Sequence, residues 1–208
     1  VAARTQEKYQ VRFAWGNAGA DRIAHGTHLV VWVDVLPDRA PSAAAHPGRG
    51  NDRAARARAA AALLPEGPVV VLGHLGNAAA VAERVTSLQA ERGDRCVVAV
   101  VAAGRTAEGA ATVADAAGEP SDTAEVPEPA VEDLLAAGAV VDALVTAGID
   151  HTSPEAAAAC AAYAGLRRAV KHLVSAAEGA TGLDRETVHT ALAAGPELVV
   201  LRESGVRA

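Results

Sequence analysis

Aromatic side chains are nearly missing from this chain of 208 residues: Tyr9, Phe13, Trp15, Trp32 and Tyr163 are the full set. A stacking platform for single-stranded nucleic acid needs more of them. Alanine supplies roughly a quarter of the residues instead, well above its ordinary share, so the core is expected to be finely grained and built from Ala, Val and Leu. Cysteine occurs only as Cys96 and Cys160, which make no disulfide framework and point to a reducing cytoplasm. Positive charge is in deficit: 19 Lys and Arg stand against 25 Asp and Glu, a net charge of -6. No global basic field draws the chain to DNA, RNA or an anionic membrane. No apolar run approaches the roughly 20 residues of a membrane span, and the opening Val1 to Lys8 lacks the apolar stretch of a signal peptide. The expectations are therefore a cytoplasmic protein with no nucleic-acid and no membrane partner.

Short apolar runs alternate with alanine-rich helical stretches, the pattern of an α/β protein. The length suits a single domain over residues 1–208. Gln10 to Trp15 alternates polar and apolar residues as a half-buried strand does. His28 to Leu36 is the clearest strand and stops at Pro37. Val69 to Leu72 and Val97 to Ala102 read as strands buried on both faces, and Glu197 to Leu201 as a short edge strand. Helices are expected over Ala18 to Ala24, Asn51 to Leu64, Asn77 to Arg92, Pro129 to Thr146, from Ser153 onward, over Leu166 to Glu178, and over Asp184 to Ala194. Asn51 or Asp52, Asn77, Ser153 and Asp184 are the expected N-caps. Pro37 to Gly50 and Gly118 to Pro127 read as loops.

Four places carry chemistry. Asp34 shares a strand face with Val30 and Trp32 and lies near the strand's C-terminal end, where open α/β sheets place ligands. It serves there either as a site carboxylate or as a turn cap toward Pro37. The phosphatase pattern of the haloacid dehalogenases requires a second Asp two residues on; Leu36 stands there. In Leu72-Gly73-His74-Leu75-Gly76-Asn77 a strand runs through glycines into a helix start, an arrangement suited to anions and equally to a plain connection. Gly104 and Arg105 follow another strand, and Arg105 either clamps an acidic group or is solvated. Glu132 and Asp133 stand at a helix start, where acids complement the dipole. They sit about 100° apart, so one is expected to face inward while the other stays wet. Together with Asp34 they form an oxygen-rich set suited to Mg²⁺. His25 and His28 lack a third ligand for zinc.

At these residues the chain resembles the 2-phosphosulfolactate phosphatase family. Arg12-Phe13-Ala14-Trp15-Gly16 with Gly19-Ala20, Val31 to Leu36, Leu72 to Ala78 with Ala80-Val81-Ala82, Ala102-Ala103-Gly104, and Val131-Glu132-Asp133-Leu134-Leu135-Ala136-Ala137-Gly138-Ala139 match in order. Ser153-Pro154-Glu155-Ala156 follows. The resemblance implies a three-layer α/β/α fold with a mixed sheet and a Mg²⁺-dependent hydrolase of the phosphate monoester of 2-phosphosulfolactate or a similar small phosphorylated acid. By position it assigns catalysis and metal binding to Asp34, Glu132 and Asp133, and substrate binding to Asn77, Gly76, Gly104 and Arg105. Its implied partner is a small anionic phosphorylated substrate, and a homodimer is left open. Arg39 is a second candidate to face a carboxylate or sulfonate. Three departures ground an alternative, a non-catalytic paralogue that keeps the fold and binds a small anion. Pro37-Asp38-Arg39-Ala40-Pro41-Ser42 stands where the family has a Ser/Thr-containing stretch. The Asn-Gly-Ser/Thr motif is missing between Ala43 and Pro68, and Ser175-Ala176-Ala177-Glu178 replaces a Ser-Gly-Arg block.

Overall fold

The structure, a computed structural model, describes residues 6–37, 53–105 and 127–204. The expected cap at Asn51 or Asp52, the loops over Pro37–Gly50 and Gly118–Pro127 (but for their end residues), and Arg39 lie outside them. Five-residue runs, three of them rich in valine, form four parallel strands: β1 (Val11–Trp15), β2 (Leu29–Val33), β3 (Val69–Gly73) and β4 (Val98–Ala102). A short β5 (Val199–Arg202) pairs antiparallel with β3. The order β1-β4-β2-β3-β5 makes one mixed sheet. Every residue of β2, β3 and β4 is buried, which is why these strands show no polar alternation.

Helices separate the strands: α1 (Gly16–Ile23), α2 (Arg53–Ala62) and α3 (Ala78–Arg92), then α4 (Val131–Thr146), α5 (Pro154–Leu166), α6 (Val170–Ser175) and α7 (Arg185–Leu192). Their ends follow local chemistry. Gly93 closes α3 in the left-handed conformation at φ 65°. Ser153 Oγ accepts the Ala156 N–H at 3.1 Å, and Asp184 Oδ1 accepts the Thr187 N–H at 2.7 Å. The stretch expected to be one helix from Leu166 to Glu178 is broken. Ala169 N–H turns to Leu166 O, α6 follows, and residues Glu178–Ala180 form a 3₁₀ turn.

Alternate residues of the parallel strands enter two different cores. Phe13, Val31, Val33, Val71 and Val100 pack with residues of α3, α4 and α5. Ala14, Val30, Trp32, Leu72 and Val101 pack with Ala20 and Ile23 of α1 and Ala57 and Ala61 of α2. Small side chains let the helices come close. A Cβ on Gly138 of α4 would run into the Ala159 carbonyl of α5. No helix among the described residues is long and apolar enough to cross a membrane.

Strand β1 lies at the sheet edge, where an open ladder invites association. The Gln6 side chain stands in for a neighbouring strand: its amide donates to Phe13 O at 2.9 Å and accepts the Phe13 N–H at 3.0 Å. On the same strand Arg12, 4% exposed, donates to the carbonyls of Tyr9, Ile23, His25 and Glu7 at 2.8–3.1 Å. It thereby ties the end of α1 to β1. Burial lowers the Arg12 pKa from its ordinary value, opposed by the nearby Glu7 charge. Arg12→Ala leaves these carbonyls without that donor and is expected to cost about 3 kcal/mol, judged from hydrogen bonds to charged groups. Denaturant unfolding of the two chains measures it.

Candidate functional site

The β2–β4 ladder ends where Ala103 N–H donates to Val33 O at 2.8 Å. Beyond that rung the strands part, and one side chain takes up the ladder donors they leave. Asp133 Oδ1 accepts the Val35 N–H at 2.8 Å and its Oδ2 accepts the Gly104 N–H at 3.0 Å. Asp133 belongs to the first turn of α4, so this carboxylate fixes the helix start against both strand exits. Gly104 sits at φ 72°, and a Cβ there would run into the Glu128 carbonyl and the Pro127 ring. The crowding explains why only glycine brings its N–H to the carboxylate. Asp133 is 3% exposed. Desolvation raises its pKa well above the usual carboxylate range, the Asp34 and Glu132 charges add to the rise, and the two N–H groups oppose it.

Asp34 follows β2 directly, on the side of the sheet that faces α2. Arg56 of α2 pairs with it at 3.4 Å. Glu132, next to Asp133, is also 3% exposed. The expectation that one of the two acids stays wet is thus corrected: both are buried. The reason is the 3₁₀ turn at 178–180, which closes over the start of α4 so tightly that a Cβ on Gly179 would overlap the Glu132 carboxylate. Desolvation raises the Glu132 pKa; its own backbone N–H and Arg105 lower it, while Asp34 and Glu178 raise it. Asp34 therefore acts on both helix-start acids, and the three carboxylates share one electrostatic environment. Arg105 joins Glu128 at 3.1 Å and Glu178 at 3.0 Å, and the Glu178 hydrogen bond raises its pKa. Its Nε is buried and has no partner among the described residues.

The exit of β3 is built differently. Asn77 precedes α3 but makes no side-chain cap, contrary to expectation. Its Oδ1 instead accepts the His74 N–H at 2.9 Å, and its Nδ2 donates to Leu72 O at 2.9 Å and to Glu197 O at 3.4 Å. The fully buried side chain is used up in folding the turn back on the strand. Gly76 is needed because a Cβ there would strike the Ala194 carbonyl. His74, 5% exposed, accepts the Gly76 N–H on Nδ1 at 3.2 Å. That bond places the ring hydrogen on Nε2. Burial, aided by Arg53, lowers the His74 pKa to about 4.

The structure thus brings Asp34, Glu132, Asp133, Gly104 and Arg105 to one region of the C-terminal sheet edge, and places Gly76 and Asn77 at the adjoining β3 exit. Two residues of that edge were not among the sequence candidates. Arg53 donates to Val35 O at 3.0 Å and to Ala191 O at 2.9 Å, and Arg56 meets Asp34. Their only sequence signal is a spacing of three on an alanine-rich helix, which an exposed helix shows equally. His28 is structural, accepting the Val97 N–H at 2.8 Å. Among the described residues no three acidic, histidine or cysteine side chains stand close enough to hold a metal ion by themselves. No known protein-family model matches the chain, and no curated protein does.

Two outcomes test this geometry. Asp133→Asn turns an NH₂ group toward a backbone N–H and is expected to cost about 2 kcal/mol; Asp34→Asn, in the more open position, is expected to cost well under half of that, both read by denaturant unfolding. Neutral His74 gives a pH dependence. Between pH 4 and 6.5 the unfolded chain binds a proton that the folded chain refuses. The resulting penalty is absent above pH 6.5 and grows as pH falls toward 4. His74→Phe should therefore flatten the stability–pH curve in that window, by up to about 3 kcal/mol at 1.36 per pH unit.

Proposed function

We propose that the chain is a three-layer α/β/α phosphatase that hydrolyses a small phosphorylated acid, such as 2-phosphosulfolactate, in the cytoplasm with Mg²⁺. The observation that carries the reading is the grouping of Asp34, Glu132 and Asp133 at the C-terminal sheet edge, where Asp34 raises the pKa of both helix-start acids and Glu132 raises that of Asp133. Mutually repelling carboxylates taken out of water favour a bound cation. Their hard oxygens suit Mg²⁺, which takes one or two carboxylates and fills its remaining positions with water and phosphate. Asp34 and Glu132 are the residues that would hold it. When bound, the ion supplies neutralisation of charge on the phosphoryl oxygens.

The protein groups divide the remaining work. Asp133, locked by two N–H groups, positions the strand exits and the start of α4, which carries Glu132. The Arg105 Nε–H, without a partner among the described residues, is a donor for a phosphoryl oxygen. Arg56 pairs with Asp34 and adds positive charge for an anionic substrate. Asp34 or Glu132 is placed to orient the attacking water.

A specific observation favours the second reading, a non-catalytic paralogue that binds a small anion. The Gly104 N–H is taken by Asp133, and the Asn77 amide by Leu72 and Glu197. Two of the groups assigned to phosphate are thereby occupied. The deciding experiment is a screen of small phosphorylated acids with and without millimolar Mg²⁺, on the wild type, Asp34→Asn and Glu132→Gln. The phosphatase reading expects Mg²⁺-dependent release of phosphate that falls at least roughly a hundredfold in each variant, while circular dichroism shows both folded. Absence of turnover on every substrate, with a melting temperature indifferent to Mg²⁺, establishes the second reading instead.

A further inference from the structure

A cavity of about 390 Å³ opens beyond the end of β2, over the end of β3 and the start of β5, between α2 and α7. Its volume lies in the range of small-molecule sites. Leu72 and Val199, paired across β3 and β5, give it an apolar floor. Arg53 and Arg56 enter from α2, and His74 from the β3 exit; Glu197 is the single acid among the described residues of the wall. The guanidinium of Arg53 is held between the Val35 and Ala191 carbonyls, so its charge stays in place without a ligand. His74 is oriented by the Gly76 N–H, which leaves its Nε2–H as a neutral donor.

Among the described lining residues two arginines, Arg53 and the Asp34-paired Arg56, stand against one acid, Glu197; with a fixed neutral donor and an apolar floor, the lining is opposite in sign to the chain as a whole, whose net charge is -6. Such a lining selects an anion, and the floor selects one with a hydrocarbon body rather than a bare inorganic ion. We propose that this cavity binds a small organic acid, its oxyanion facing Arg53 and Arg56 and receiving a hydrogen bond from His74 Nε2–H, its carbon body lying on Leu72 and Val199. The site adjoins Asp34 through Arg56, yet it requires neither a metal nor turnover. It shares Arg56 with the proposed phosphatase site, but its binding is measured without metal or turnover.

The test is made on the whole chain in EDTA, at constant ionic strength and neutral pH, with succinate and inorganic phosphate as probes. Millimolar succinate is expected to raise the melting temperature of the wild type, since a ligand stabilises the state it binds. Titration calorimetry is expected to show succinate binding weakened roughly tenfold or more by Arg56→Gln and by His74→Phe, each removing one recognition contact. Phosphate is expected to bind more weakly than succinate. A wild type that responds to neither probe overturns the proposal, as does succinate binding that both variants retain undiminished. Phosphate binding as tight as succinate overturns the role of the apolar floor. Should Arg56→Gln fail to fold, His74→Phe decides alone. Because no Mg²⁺ and no ester are present, a failure here is distinct from a failure of the phosphatase reading.

Discussion

Parallel strands must end somewhere, and the backbone donors beyond the last rung need partners. In this protein the Asp133 carboxylate provides them for β2 and β4 together. It acts as a short acceptor strand inserted between two diverging chains. Because it comes from the first turn of α4, the same contact sets where that helix begins and where Glu132 points. The position of Gly104 and the course of the chain at Val35, one residue past Asp34, rest on it too. The cost is a buried acid whose charged form is disfavoured. Two N–H groups and the start of α4 offset part of that cost.

Charge at this edge is arranged in two neighbouring zones. Acids gather where β2 and β4 leave the sheet, and arginines from α2 gather beyond the ends of β2 and β3. The Arg56–Asp34 pair is their boundary. Farther out, Arg105 is flanked by Glu128 and Glu178; both partners are more than half exposed, so these pairs add little stability and serve to aim the guanidinium. Arg53 and Arg202 give their charge to carbonyls rather than to acids. Arg202 donates to Ala61 O, Leu64 O and Pro65 O, tying β5 to the end of α2. A chain poor in aromatics thus anchors its small-residue helices with arginine forks, whose several donors satisfy several carbonyls at once.

Strands and caps were legible in the sequence because their causes are local. Val69 to Leu72 and Val97 to Ala102 can hardly be other than buried strands, and Ser153 and Asp184 cap the residues just after them. Glu197 to Leu201 was read as a short edge strand, and β5 occupies that place; its antiparallel direction has no local signal. The site was legible in part. Asp34, Glu132 and Asp133 stand out as acids beside apolar elements. The burial of both helix-start acids was not legible, since it depends on Gly179, more than forty residues later, folding over Glu132. Asn77 misled for a related reason: a cap residue and a turn residue share the same chemistry, and the β3 exit uses it for the turn. Arg53 and Arg56 lie on a helix whose sequence has no marked face, so only the fold reveals what they meet.

The central claim is that one carboxylate holds two strand exits. Amide hydrogen exchange of the wild type and Asp133→Asn, followed residue by residue by NMR, tests it most directly. The account predicts that the Val35 and Gly104 amides are protected in the wild type although they lie outside the regular strands. It predicts that both lose protection in the variant, while amides at the middle of β2 and β4 keep theirs. Protection at Val35 and Gly104 that persists unchanged in Asp133→Asn, or that is lost at only one of them, would contradict it.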